Sequence, residues 1–160
     1  MENKPRLIAL SLLVIAALAS TPAAQSRSPL KGAWKASSVS AGPNSQAIVG
    51  LAIFGDNHYS IMWFDATNER PDIANVGSAS ADDMRKLWNG WVANTGTYEV
   101  NGDLVTIHPM GAKNPVVMKP GATEVYRFRI DVNTLSWTQQ RNARGVEVTG
   151  AATAKFVRQE

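Results

Sequence analysis

Two histidines, His58 and His108, and two glutamates, Glu99 and Glu124, are the side chains best suited to proton transfer in this 160-residue chain. An imidazole changes charge near neutral pH, and a carboxylate beside it can orient the ring or share its proton. His58 follows the turn Gly55-Asp56-Asn57, and His108 stands directly before Pro109. Neither has a second histidine at metal-ligand spacing, and the chain contains no cysteine, no phosphate-binding glycine loop and no Gly-x-Ser-x-Gly elbow. The expectation for both histidines is therefore hydrogen bonding at a turn or surface. No catalytic residue, metal ligand or cofactor is assigned, and acid–base work would require the fold to gather these residues from distant segments. Arg127 and Arg129 alternate with Tyr126 and Phe128, so one pair faces solvent if the other faces a core. Asp65, Glu69, Arg70 and Asp72 cluster in FDATNERPDI, which reads as a polar loop.

The aromatic residues carry the stronger signal. Five tryptophans are many for such a chain, and large rigid apolar faces provide ligand contact at little entropic cost. Trp63, Trp88, Trp91, Tyr126 and Phe128 are the candidate ligand-binding residues. Trp137 is placed on an outer strand face.

These side chains must be positioned by a β-rich domain. Trp34 to Ser40 reads as a first strand. Ile48 to Phe54 and His58 to Phe64 form a hairpin around Gly55-Asp56-Asn57. Thr97 to Val100 and Asp103 to His108 form another around Asn101-Gly102, a dipeptide whose tight turn matches the twist of its arms. Glu124 to Ile130, Leu135 to Gln140 and Glu147 to Val157 complete eight strands. The predicted interior set is Trp34, Ala36 and Ser38; Val49, Leu51 and Ile53; Tyr126, Phe128 and Ile130; and Gly150, Ala152, Ala154 and Phe156. One helix interrupts the pattern from Ala81 to Val92, with a cap at Ser80 and Met84, Leu87, Trp88 and Trp91 at helical spacing. It is expected either to cover a barrel mouth or to lie on an outer wall. Sequential hairpins close without crossing connections, so the fold class is an all-β, eight-stranded antiparallel up-and-down barrel with one intervening α-helix.

The N-terminus predicts export. Lys4 and Arg6 precede the apolar run Leu7 to Ala19, and small residues around Ser20 and Ala23 follow, the order of a secretory signal peptide. The apolar run is short for a membrane span. Residues 1–23 are thus read as a signal peptide and 30–158 as one domain, with a periplasmic or secreted location and no stable transmembrane span after processing. The formal charge is +3 and the cations are scattered, which gives no footprint for nucleic acid.

Gly32-Ala33-Trp34, within LKGAW, resembles the Gly-x-Trp signature of the lipocalins. GTYEVNGDLVTIH, from Gly96 to His108, resembles a hairpin of bacterial lipocalin-like domains. The resemblance spans Leu30 to Arg158. It implies that Gly32 lets the incoming chain approach closely, that Trp34 closes the barrel floor, and that Arg158 or Lys155 lies over the indole. Two departures stand out: the long connection from Asp65 to Asn94, and the absence of a disulfide. A retinoid or haem specificity is therefore not carried over. The expected function is binding of one small apolar or amphipathic ligand in the barrel by a monomer or weak dimer. A filled structural or stress-related barrel and a small isomerase or cyclase using an interior His or Glu are the alternatives.

Overall fold

Eight antiparallel strands, each hydrogen-bonded to the next and the last to the first, close into a barrel. This is the architecture of a computed structural model that describes residues 28–67 and 70–159. The signal-peptide segment 1–23 and Glu69 lie outside the described residues. The strands are β1 (Gly32–Ala41), β2 (Asn44–Phe54), β3 (His58–Asp65), β4 (Trp91–Asn101), β5 (Leu104–Ala112), β6 (Glu124–Asp131), β7 (Thr134–Arg141) and β8 (Thr153–Arg158), with helix α1 (Ala81–Asn89) between β3 and β4. Among the described residues no helix is long and apolar enough to cross a membrane.

The connections sort by end. Tight turns join β2 to β3, β4 to β5 and β6 to β7, and they lie at the end where the chain enters. The longer links, 66–90, 113–123 and 142–152, lie at the opposite end together with the short β1–β2 turn. The entry end is closed by packing. Trp34 is fully buried and donates from Nε1 to the Leu30 carbonyl at 2.6 Å, while Leu30 is buried beneath it. The Arg158 guanidinium covers the indole at 4.0 Å and donates to the carbonyls of Lys31 (3.0 Å) and Pro29 (3.2 Å). Lys155 is exposed on β8 and does not take that role. Gly32 has φ of 126°, a backbone that favours glycine, and this permits the bend by which the entering segment passes under the floor.

Above the floor, Phe54 sits among aromatic rings: edge-on to Tyr98 at 5.4 Å, stacked near Tyr59 at 6.3 Å and tilted against Trp137 at 5.7 Å. Val105, Ile107, Leu135 and Phe156 fill the spaces between them.

Four expectations are corrected. On β2 the interior residues are Ile48, Ala52 and Phe54, whereas Val49, Leu51 and Ile53 are exposed. Both faces of this strand are apolar, so hydrophobicity does not choose between them. Phe54 joins the aromatic cluster, and at Gly50 the backbones approach so closely that a Cβ would lie 2.1 Å from the Met62 carbonyl oxygen. On β1, the register shifts between Lys35 and Ser38, and Val39 in place of Ser38 packs against the core. The helix ends at Asn89, with Gly90 as its C-cap, so Trp91 begins β4. Finally, β8 starts at Thr153. Residues before it form a loop in which Gly150 and Ala152 are exposed, with a single bridge between Glu147 and Arg141.

Candidate functional site

The aromatic packing does not continue to the far end. There the interior opens into a cavity of about 330 Å³, walled by Val39, Ile61, Trp63, Ile107, Trp137 and Phe156, with Val148, Ala151 and Ala152 of the β7–β8 link at its mouth. Strand alternation explains the lining. Ile61 and Trp63 follow Tyr59 on the inner face of β3, and Trp137 follows Leu135 on β7. Its volume falls at the small end of the range for ligand sites, roughly 300–1,000 Å³.

Polar groups lie on one side of this apolar chamber. β5 and β6 pair only from Leu104↔Arg127 to Ile107↔Glu124, after which β5 runs on to Ala112 without β6. A side chamber of about 290 Å³ occupies this region, and it shares Val92, Asn94, Tyr126 and Gln139 with the main cavity. Glu124 borders it and is only 7% exposed. Its carboxylate accepts from the Tyr126 hydroxyl at 3.1 Å and from Gln139 Nε2 at 2.8 Å. Tyr126 stacks on Trp137 at 4.8 Å, and Tyr59 donates to Asn94 Oδ1 at 2.7 Å.

Burial pushes the Glu124 carboxyl above its ordinary value, and the hydrogen bonds from Tyr126 and Gln139 oppose part of that push. Tyr59 and Tyr126 are also pushed up, first by burial and then by the charge of Glu124, so both phenols remain neutral donors. Among the described residues no cationic side chain forms an ion pair with Glu124.

Lys113 borders the same side chamber but is otherwise engaged. Its ammonium donates to the Trp88 carbonyl and to that of Trp91 at 2.7 Å, and it lies 5.2 and 5.6 Å from the two indole centroids. Burial pushes its pKa down. The contact also supplies a cation to the Trp88 carbonyl in the last turn of α1, whose N-terminus is capped by Ser80 accepting from the Asp83 amide at 3.1 Å.

The candidate residues therefore separate. Trp63 and Tyr126 line the main cavity. Phe128 is buried in the packed core and is not part of the cavity wall. Trp91 borders the side chamber and stacks on Phe64 at 6.1 Å. Trp88 is 54% exposed on α1, a helix with no buried residue. Trp137, placed on an outer face by the sequence reading, is buried and lines the cavity. Its position was legible in the alternation Leu135-Ser136-Trp137-Thr138, and Glu124 shares strand parity with Tyr126 and Phe128.

The remaining ionisable candidates are outside. His58 is exposed beside Asn57, at 2.7 Å, and His108 lies 3.8 Å from the exposed Glu99. Arg127 and Arg129 are exposed, the former paired with Asp103 at 2.9 Å. Arg70 covers the Phe64 ring at 4.6 Å, and Asp65 and Arg70 border a charged surface groove against α1. No group of three metal-binding side chains occurs among the described residues.

The closed strand order and the Trp34–Arg158 floor define a lipocalin-like β-barrel. No protein-family model matches the chain, and no curated protein matches it. Among solved structures, a lipocalin-like protein from Bacteroides uniformis ATCC 8492 is similar at 14% identity and TM-score 0.45, covering 81% of this chain and 97% of that one. An uncharacterized protein from Bacteroides eggerthii DSM 20697 is similar at 8% identity and TM-score 0.43, covering 81% and 98%.

Proposed function

We propose that this protein is an exported lipocalin-like barrel that binds one small apolar or amphipathic compound in its open half. The carrying observation is the asymmetric interior: aromatic rings fill the floor, whereas Trp63, Trp137 and their aliphatic neighbours surround unfilled space at the other end. Apolar walls with a few convergent polar groups are the usual make-up of a small-molecule site. Export to the periplasm or medium rests on the charged, apolar and small-residue order of Lys4 to Ala24. Of the ionisable residues considered for an enzyme, Glu124 alone borders the interior, without a histidine beside it, and this favours binding over turnover.

An environment-sensitive apolar fluorophore titrated into the folded protein should saturate near one equivalent. Absence of saturation up to about 1 mM would leave less than roughly 4 kcal/mol of binding and return the barrel to a structural role.

A further inference from the structure

The side chain that this reading leaves unexplained is Glu124. A carboxylate removed from water is costly unless it is paired, and a barrel needing only to pack its wall would place an apolar residue there. Two of its oxygens' acceptor positions are taken by Tyr126 and Gln139, and an ionised carboxylate offers about four. Among the described residues no other donor reaches these oxygens, and the carboxylate borders the side chamber, beside a cavity whose walls include the aromatic faces of Trp63, Tyr126 and Trp137. Aromatic faces attract cations as well as apolar groups.

Resting on the proposed ligand site, we infer that its occupant is an apolar amine, with its hydrocarbon or aromatic body in the main cavity and its ammonium donating to Glu124 from between Asn94, Tyr126 and Gln139.

The neighbouring charges support this polarity. Tyr59 and Tyr126 present neutral phenols, and Lys113, the one cation bordering the side chamber among the described residues, is already held by two carbonyls and two indole rings. An anionic ligand would meet Glu124 with like charge and would have to draw Lys113 from those partners. A neutral alcohol could hydrogen-bond Glu124 but brings no charge to balance its ionised form. An ammonium supplies both the missing donor and the missing charge, and charge-assisted hydrogen bonds are about twice as strong as neutral ones.

The test uses three probes sharing one ring system: naphthylethylamine, naphthylethanol and naphthylacetate, titrated by calorimetry near pH 8 into the folded protein and into Glu124→Gln. The amine should bind the unsubstituted protein at least tenfold more tightly than the alcohol, and the acid should bind weakest. In Glu124→Gln the preference for amine over alcohol should fall at least tenfold, with circular dichroism reporting that the variant is folded. Comparison of the three probes on the unsubstituted protein decides the matter even if the variant does not fold. Equal binding of amine and alcohol overturns the inference and leaves the binding reading standing. Tightest binding of the acid overturns it in favour of Lys113. Failure of all three to bind refutes the binding reading itself.

Discussion

Arg158 lies over Trp34 with its guanidinium carbon 4.0 Å from the ring centroid, while two of its nitrogens hold the carbonyls of Pro29 and Lys31. One side chain from the last strand therefore fastens the entering segment to the first strand's tryptophan. β1 and β8 are also the pair whose hydrogen bonding closes the barrel, with Trp34 directly opposite Arg158. Closure and floor depend on the same two residues.

Trp34→Ala should destabilise the domain by about 3–5 kcal/mol, the range for removing a buried large aromatic. Equilibrium urea unfolding measures this. Because the cavity is at the opposite end, probe affinity of the folded fraction should change little.

Arg158→Lys should lose about 1–2 kcal/mol despite keeping the charge. An ammonium cannot reproduce a planar group that lies on the ring and reaches two carbonyls. If the substitution proves neutral in the same unfolding assay, the guanidinium geometry contributes nothing.

Val132, in the turn between β6 and β7, has φ of 52° and is 86% exposed. A β-branched residue in left-handed backbone is strained, and it gains no burial here. Val132→Asn should raise stability by about 0.5–1 kcal/mol, visible as a higher urea midpoint without change in slope.

Trp63→Ala should weaken binding of a neutral apolar probe by about tenfold, corresponding to roughly 1.4 kcal/mol of lost contact. Trp88→Ala should leave it within about twofold, since this indole is exposed on α1 and lies outside the main cavity. Titration of each variant, with circular dichroism to confirm folding, distinguishes a lined interior from adhesion of probe to surface indoles.

Glu124 gives stability a pH dependence of known sign. Its folded pKa is raised above the ordinary value of 4.5, so above that pH the unfolded chain binds fewer protons than the folded one. This group's contribution is then most favourable at low pH, falls as pH rises through the raised pKa, and levels off beyond it. Urea midpoints of the unsubstituted protein should decline relative to those of Glu124→Gln across that window. A constant difference between the two curves would show that Glu124 titrates alike in both states.

Much of the barrel was legible because its turns are chemically distinctive. Asn101-Gly102 and Gly55-Asp56-Asn57 mark two hairpins, and Gly32-Ala33-Trp34 fixes the first strand's phase. β2 was illegible for an equally physical reason: its two faces are both apolar, so choosing between Val49, Leu51, Ile53 and Ile48, Ala52, Phe54 required knowing where Phe54 meets Tyr98 and Trp137. Gly50 was the available clue, since glycine within a strand often marks a close backbone approach. At the helix end, the spacing of Leu87, Trp88 and Trp91 continued past Gly90, although a glycine there is also a stop signal. Of the candidate site, Trp63 and Tyr126 could be read from aromatic content and alternation. The gathering of Glu124, Gln139 and Asn94 could not, because they come from three strands and meet only after closure.

The unequal lengths of the connections divide the molecule into a tightly turned base and a loosely connected crown. The tight turns and the Trp34–Arg158 clasp share one end, where an inserted residue would disturb register or floor. Segments 113–123 and 142–152 contribute Lys113 and Val148 to the chamber borders at the other end, yet they bear little of the hydrophobic core. Changes of length and composition there should reshape the chamber borders at little cost in folding stability, which makes the crown suited to grafted loops.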